Sequence, residues 1–279
     1  MRRILLISLL SCIWLLGLSN DIPTDIEKVN LKLEEGEFAI TFLDLSSGEV
    51  TLIQHSNGEN ILINTGGPNT EKELKRILET YGISTIESII ITKVDPEYTS
   101  NFKWLTDHFK DVTIIAGHHS KSLLRYEKIQ TWKKGDQKKL LPGLEVDVIQ
   151  ESPNQESTIG MDILFSFGEH KMLYMTSSNK MIEKSILNDY DLSSVNILKI
   201  GDFASSTGTS QRFLEHVDPQ VAIIFQKKGA LPSQDVIERL QETWIDIYFT
   251  KQFGNISLKC TNKDYEIITL SIESNHLIE

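Results

Sequence analysis

The chain has 279 residues, of which 40% are hydrophobic and 24% are charged, which is typical of a folded globular protein and not of a disordered one. Its formal net charge of −11 opposes non-specific attraction to nucleic acid or anionic lipid, although a local basic patch is compatible with it. The two cysteines are Cys12 and Cys260, which excludes a cysteine-based metal cluster. One large domain or two ordinary ones fit this length.

Residues 1–19 have the pattern of an export signal. Two arginines precede an apolar run over residues 4–18, and small residues stand at positions 17 and 19, spaced as at a cleavage site. We predict a signal peptide over residues 1–19 and an exported chain, either secreted or held at the outer face of the cytoplasmic membrane. Two alternatives remain. The segment stays as an N-terminal membrane anchor, although a spanning helix needs roughly 20 apolar residues, or Cys12 carries a lipid.

The first half of the remaining chain predicts strands followed by helix–strand alternation. Residues 20–37 are polar and predict a linker, and the domain is predicted over residues 38–279. Predicted strands cover residues 38–45, 50–55, 60–64, 86–92 and 112–116. A helix over residues 70–81, capped by Thr70, precedes the fourth strand, and a second helix precedes the fifth.

The second half repeats this order without an intervening linker. Strands are predicted over residues 144–149, 161–167, 171–176, 195–200, 221–225, 245–250, 255–260 and 265–271. Helices are predicted over residues 179–189, after Thr209 and over residues 233–243. Two halves of the same kind predict an α/β (α+β) fold with a pair of sheets and helices outside, a four-layer αβ/βα sandwich.

The turn after the fourth strand is the first candidate site. It carries Lys93, Asp95, Glu97 and Tyr98 directly after a buried apolar run. Functional sites are often built where such strands end. These residues therefore predict either a metal site or the remains of one.

Four segments agree in order and spacing with one family. They are Phe42-Leu-Asp-Leu-Ser-Ser-Gly-Glu49, Ile61-Leu-Ile-Asn-Thr-Gly-Gly67, Thr92-Lys-Val-Asp-Pro-Glu-Tyr98 and Asn196-Ile-Leu-Lys-Ile-Gly-Asp-Phe-Ala-Ser-Ser-Thr207. Together they resemble the metallo-β-lactamase superfamily, in particular the C-terminal hydrolase-like domain of ComEC-type competence proteins. The resemblance extends over residues 38–269 and implies a sandwich of the metallo-β-lactamase type.

The same resemblance implies that the metal-binding motifs are degenerate. In the family, a Thr-His-x-[His/Asp]-x-Asp-His motif helps to hold one or two zinc ions and to orient a water. Here Lys93 stands at the first histidine of this motif, Asp95 at its His/Asp position, Glu97 at its aspartate and Tyr98 at its last histidine. Ser178 corresponds to a bridging aspartate, Asp202 and Phe203 to two histidines, and Asn64 to another aspartate. Each imidazole has been replaced, so no metal or other cofactor is expected.

Two interpretations of the altered turn remain open. Lys93 brings a cation to a place where a divalent metal needs a neutral or anionic donor. In the first interpretation, its ammonium group fills the metal position within a cluster formed with Asp95, Glu97 and Asp202. In the second, these side chains are a solvated turn. For Tyr98 two roles remain open: it hydrogen-bonds into the cluster, or it stacks on a ligand.

Other candidate groups are weaker. None of the seven histidines falls on a ligand position of the family, and His118-His119, after the strand over residues 112–116, are interpreted as exposed loop residues. One basic cluster joins Trp132 to four lysines, Lys133, Lys134, Lys138 and Lys139. A solvated hairpin edge is the favoured interpretation of this cluster, and a contact for an acidic partner or nucleic acid is the alternative.

The favoured function is a non-catalytic binding or scaffolding role outside the cytoplasmic membrane. Its expected partner is an extracytoplasmic protein, a polymer or a nucleic acid, with membrane association through the N-terminus as an additional option. The alternative is a divergent metal-dependent hydrolase or nuclease. In that case Asp95, Glu97 and Asp202 would form a carboxylate-rich site for one divalent cation, Mn²⁺, Mg²⁺ or Zn²⁺.

Overall fold

The computed structural model describes residues 28–117, 128–151 and 159–272. The predicted export signal, Cys12 and His118-His119 lie outside these residues. In the part of the chain that is described, no helix is both long and apolar enough to cross a membrane. Residues 28–37, from the predicted linker, run along the domain: the N–H of Val29 donates to the carbonyl of Thr80 at 2.9 Å.

The strands form two large sheets. In chain order they are β1 Phe38–Phe42, β2 Thr51–His55, β3 Asn60–Ile63, β4 Ser88–Ile91, β5 Thr113–Gly117, β6 Ile129–Trp132, β7 Gln137–Leu141, β8 Leu144–Gln150, β9 Asp162–Phe167, β10 His170–Tyr174, β11 Val195–Lys199, β12 Val221–Ile224, β13 Asp246–Phe249, β14 Asn255–Cys260 and β15 Tyr265–Leu270. One sheet has eight strands in the order β15-β14-β1-β2-β3-β4-β5-β6, and the other has seven in the order β13-β12-β11-β10-β9-β8-β7. Strands β3 to β6 and β10 to β13 run parallel, so each sheet has a parallel half.

Five of the seven described helices cover the outer faces of the sheets, whereas α2 and α7 place Tyr98 and Phe253 at the cluster between the sheets. The helices are α1 Glu71–Thr80, α2 Pro96–Thr99, α3 Phe102–His108, α4 Lys180–Asp189, α5 Gln211–Val217, α6 Gln234–Glu242 and α7 Thr250–Phe253. Apolar side chains of α1 and α3 pack on the eight-stranded sheet, and those of α4, α5 and α6 pack on the seven-stranded sheet. A third apolar cluster, formed mostly by strand residues, fills the space between the sheets. These layers confirm the predicted four-layer αβ/βα sandwich.

Strand β3 shows why the central strands have apolar residues on both faces. Ile61 and Ile63 point into the cluster between the sheets, whereas Leu62 points toward the helices. Successive side chains of a strand alternate between its two faces, so a strand covered on both sides needs apolar residues throughout. Fully burying each such side chain contributes roughly 1.5 to 3 kcal/mol.

Sequence patterns missed two strands. Strands β6 and β7, each the last strand of its sheet, were not predicted, and β7 exposes Gln137, Lys138 and Lys139. Thr70 is the N-cap residue of α1, as predicted, but its side chain accepts no N–H of the helix. Its hydroxyl donates instead to the carbonyl of Gly67 at 2.7 Å.

Candidate functional site

Four segments that leave β3, β4, β10 and β11 meet at one end of the sandwich. Asn64, Lys93, Ser178 and Asp202 lie on them, and we call this end the rim. The segments contact each other directly: Thr92 N–H donates to the Asn64 side chain at 2.9 Å, and Lys93 pairs with Asp202. The structure therefore brings together the ends of β3, β4, β10 and β11, which carry residues of the predicted site.

Lys93 and Asp202 form an ion pair at the rim. The Nζ atom of Lys93 lies 3.6 Å from the Asp202 carboxylate, and the two side chains are 9% and 25% exposed. The same ammonium lies 5.3 Å from the centre of the Tyr98 ring, within the range of a cation–π contact. Lys93 thus points inward between an anion and an aromatic face, and not out to solvent.

Asp202 is held in a strained backbone turn. Asp202, Phe203 and Ala204 have φ angles of 43°, 55° and 60°, three consecutive non-glycine residues in the left-handed region. Each such residue costs on the order of 1 kcal/mol or more, so surrounding contacts must hold the turn in place. One of them is the Ser233 N–H, which donates to the carbonyl of Ala204 at 2.9 Å.

Aromatic contacts anchor the centre of this turn. The ring of Phe203 lies 5.7 Å from the ring of Tyr98, centre to centre, at an angle of 50°. On another side, the ammonium of Lys227 lies 5.7 Å from the centre of the Phe203 ring. Phe203 therefore links the turn after β4 to the segment that follows β12.

The carboxylates of Asp95 and Glu97 accept hydrogen bonds from different groups. Asp95 is the N-cap of α2, and its carboxylate accepts the N–H of Glu97 at 3.1 Å. The carboxylate of Glu97 accepts the Ser47 hydroxyl at 2.8 Å, and an added Cβ on Gly67 would meet it at 2.6 Å. Glu97 is thus committed to the loop between β1 and β2, which the sequence did not indicate.

Tyr98, which the resemblance places at the family's last histidine, has a buried phenol. Its side chain is fully buried, and its hydroxyl has no hydrogen-bond partner among the described residues. Burial raises the pKa of this phenol well above its ordinary value, and the negative charges of Glu49, Asp202 and Asp95 raise it further. Tyr98 therefore stays neutral and packs under the rim.

Ser178 belongs to a small cluster of hydroxyls. Its Oγ lies 2.9 Å from Oγ1 of Thr207, which in turn lies 3.1 Å from Oγ of Ser205. Ser178 is buried, and its hydroxyl also donates to the carbonyl of Ser205 at 3.4 Å. These partners lie in the segment after β11, so Ser178 connects the end of β10 to that segment.

Asn64 joins two strands and a buried carboxylate. It is fully buried with φ at 61°, its side-chain oxygen accepts both the N–H and the hydroxyl of Thr92, and its amide donates to Glu49 at 3.0 Å. Asn64 is therefore a connector between the exits of β3 and β4.

Sequence reasoning missed the largest buried polar network of the described residues. Glu49, in the β1–β2 loop, and Lys199, at the end of β11, form a fully buried ion pair. Glu49 also accepts the Tyr174 hydroxyl at 2.8 Å, and Lys199 donates to the Met175 carbonyl at 2.9 Å. A lysine in the apolar run Val195-Asn-Ile-Leu-Lys-Ile200 is the signal that could have found it.

Burial favours the uncharged form of both side chains in this pair. It raises the pKa of Glu49 and lowers the pKa of Lys199, and their mutual attraction works against each shift. The hydrogen bonds to Tyr174, Asn64 and Met175 satisfy their remaining polar atoms. The pair thus fastens the two sheets together beneath the rim.

Asp162 is a second buried carboxylate that the sequence did not single out. Its Oδ1 accepts the N–H groups of Thr176 and Ser177 at 2.6 and 2.8 Å, while its Oδ2 has no partner among the described residues. Burial raises its pKa to about 6, against the lowering effect of those N–H groups. It holds the turn after β10 that carries Ser178.

The donor set at the rim does not fit the metal that the resemblance implies. In the described part of the chain, no three His, Cys, Asp or Glu side chains are arranged to hold a metal ion. Asp95 and Glu97 are engaged with a backbone N–H and with Ser47, and Asp202 faces the Lys93 ammonium. Neither a zinc site of the family type nor the trio Asp95, Glu97 and Asp202 is assembled.

No profile of a known protein family matches the chain. Its sequence is similar to ComE operon protein 3 of Bacillus subtilis strain 168, at 24% identity over 264 residues, 82% of this chain and 34% of that protein. It is also similar to Recombination protein 2 of Haemophilus influenzae, at 25% identity over 223 residues, 75% of this chain and 27% of that protein. The chain spans about a third of the length of these relatives.

Solved structures share the architecture at low sequence identity. The metallo-β-lactamase fold protein YhfI of Bacillus subtilis has a TM-score of 0.56 at 9% identity and covers 80% of this chain and 99% of its own. The metallo hydrolase Igni18 of Ignicoccus hospitalis has a TM-score of 0.55 at 10% identity and covers 85% of this chain and 100% of its own. This chain therefore has the metallo-β-lactamase fold, and its sequence is similar to part of the ComEC-type competence proteins.

Proposed function

We propose that this protein is a non-catalytic binding or scaffolding module in which an ammonium group has taken the place of the family's metal. One observation carries the proposal: the Lys93 ammonium lies 3.6 Å from Asp202 and over the Tyr98 ring, with a side chain only 9% exposed. It thus lies among the groups that correspond to metal ligands in the resembling family.

Electrostatics explains why this arrangement disfavours a metal ion. A divalent cation beside an ammonium group is repelled strongly where water is largely excluded, since the repulsion grows as the effective dielectric constant falls. Metal ligands must also offer a free electron pair, which an ammonium group lacks. Asp202 is neutralised by Lys93 instead, and Asp95 already caps a helix.

The strained turn supports a retained binding role. Asp202, Phe203 and Ala204 keep left-handed backbone angles although the imidazoles that such a turn would present are absent. Strain of this kind clusters at ligand sites and switch regions, and it persists when neighbouring contacts impose it. We therefore propose that the rim binds a partner through Lys93, Asp202 and the aromatic floor of Tyr98 and Phe203.

We further propose that this role is performed outside the cytoplasmic membrane. The charge and length pattern of residues 1–19 supports export. The partner would be an extracytoplasmic protein, a polymer or a nucleic acid. Fractionation of producing cells would find the chain outside the cytoplasm, and removing residues 1–19 should leave it inside; cytoplasmic location of the intact chain would contradict export.

Turnover assays test the loss of catalysis. Purified protein would be assayed for phosphodiesterase and esterase activity with added Mn²⁺, Mg²⁺ or Zn²⁺, beside Asp95→Ala, Glu97→Ala and Asp202→Ala variants. The proposal expects no metal-dependent turnover above that of the buffer with metal alone, either in the intact protein or in an Asp235→Ala control, which changes an exposed residue at the start of α6. Turnover that vanishes in the three rim variants but not in the control would establish the divergent hydrolase instead.

A further inference from the structure

A cavity of about 450 Å³ opens beside the rim, at the carboxyl ends of β12 and β13. Its apolar wall includes Phe225, Pro232 and Phe249, and Leu231 lies at it with 87% of its surface exposed. Small-molecule sites usually have volumes of several hundred Å³, mostly apolar walls and a few polar groups that set orientation. This cavity has the size and wall composition of such a site.

The charged groups that line the cavity are both positive. Lys227 and Lys251 line it, and no acidic side chain is among its lining residues in the described part of the chain. Neither lysine makes an ion pair with any described residue, although acidic residues outnumber basic ones by 39 to 28 in the sequence. Two unpaired ammonium groups at an apolar cavity favour a ligand with an apolar body and an anionic end.

The segment that frames the cavity is fixed without a ligand. The Gln226 side chain donates to the Leu45 carbonyl at 2.6 Å, and the N–H of Lys228 donates to the Ser47 hydroxyl at 2.9 Å. At the other end of the segment, the Ser233 N–H donates to the carbonyl of Ala204. Binding would therefore cost little ordering of the chain, which increases affinity for a given set of contacts.

We infer that this cavity binds a small amphiphilic anion, with its apolar chain or ring against Phe225, Pro232 and Phe249 and its carboxylate or phosphate toward Lys227 and Lys251. This site goes beyond the proposed function, because its lining excludes Lys93, Asp202 and Tyr98. The two places are nevertheless neighbours, since the Lys227 ammonium also lies over the ring of Phe203. A bound anion would draw the Lys227 ammonium away from Phe203 and so remove one contact of the strained turn.

Calorimetric titration of the purified full chain tests the ligand class. The probes are decanoate and decyl phosphate, each kept below its micelle-forming concentration, with decanol as the neutral analogue and decyltrimethylammonium as the cationic one. We expect saturable binding of one anion per chain, at least about fivefold tighter than decanol, as two charge contacts near the surface allow. Equal binding of decanol or of the cation would overturn the inference.

Variants locate the binding on the molecule. Lys227→Gln with Lys251→Gln should weaken decanoate about fivefold, and Leu231→Asp should weaken it by placing a negative charge at the mouth. Lys180→Gln with Lys184→Gln is the matched control, because it removes two exposed lysines of α4 and should leave binding unchanged. Thermal unfolding of each variant confirms that it is folded. Equal weakening in the control, or none in the Lys227 and Lys251 variant, would contradict the assigned site.

Discussion

Two lysine–carboxylate pairs lie close together at the same end of the sandwich, and they differ in burial, in hydrogen bonding and in the backbone that carries them. Lys199 and Glu49 are fully buried, and neighbouring hydroxyl, amide and carbonyl groups complete their hydrogen bonding. Lys93 and Asp202 are 3.6 Å apart and partly exposed, and Asp202 lies on a strained turn. The contrast separates a pair that holds the sheets together from a pair that we propose is available to a partner.

The buried pair should dominate stability. Lys199→Met leaves the Glu49 carboxylate buried without its cation, which should lower the free energy of unfolding by about 4 kcal/mol. Denaturant unfolding followed by circular dichroism measures this. Lys134→Met is the control, since it breaks a surface pair of 2.6 Å with Asp189 and should cost less than about 1 kcal/mol. Similar losses in both variants would remove the distinction between buried and exposed pairs.

The loop that supplies Glu49 should be equally intolerant of added volume. Gly48 has φ at 89°, and an added Cβ would overlap the backbone N of Gly67 and lie 2.5 Å from the carbonyl oxygen of Glu97. Gly48→Ala should therefore cost about 3 kcal/mol in denaturant unfolding. Gly58→Ala, at φ 93° with no atom within 4 Å, should cost only about 1 kcal/mol. Equal costs would mean that close packing at Gly48 is unimportant.

The buried carboxylate Asp162 gives a pH test of the same region. Its pKa in the folded protein is raised to about 6 from 3.8 in the unfolded chain, so the folded state keeps a proton that the unfolded state releases. Its contribution to stability is complete below pH 3.8, falls as the pH rises to 6, and stays lower above that. The loss is at most about 3 kcal/mol.

Asp162→Asn should flatten that part of the pH profile. Asp44, whose pKa burial also raises to about 6, titrates in the same window and should leave a residual slope. Unfolding free energies measured between pH 4 and 7 compare the two proteins, and carbon NMR of the side-chain carboxyl follows Asp162 directly. An Asp162 midpoint near 4 would contradict the effect of burial.

The rim pair should matter much less to stability than the buried pair. Lys93→Met keeps an unbranched side chain beside Tyr98 but removes the charge, and the partly exposed Asp202 retains contact with water. We expect a loss of about 1 kcal/mol in the unfolding free energy. A loss as large as that of Lys199→Met would make Lys93 a structural residue and not part of a binding surface.

Much of the fold could be predicted from the sequence because strong patterns specify the central elements. Strand β4, for example, is buried on both faces and has three consecutive isoleucines after Ser88, and α1 has one apolar stripe. Strands β6 and β7 were missed because an edge strand is only partly covered and needs fewer apolar residues. The short run Gln137–Leu141 therefore resembles a polar loop.

The sequence indicated which strand ends lie together but not which side chains contact each other there. Asn64, Lys93, Ser178 and Asp202 do meet at the rim, as expected for the ends of neighbouring strands. Glu97 turns to Ser47, however, 50 residues away, and Lys199 pairs with Glu49 across 150 residues. Such partners depend on how the two sheets pack, which local periodicity does not specify.

The metal content of the purified protein tests the central claim most directly. Protein dialysed to equilibrium against Zn²⁺ or Mn²⁺ and then against metal-free buffer would be measured by inductively coupled plasma mass spectrometry. Because the Lys93 ammonium lies against Asp202, we expect far less than one retained ion per chain. One tightly held ion per chain, lost in Asp202→Asn, would contradict the proposal that Lys93 has replaced the metal.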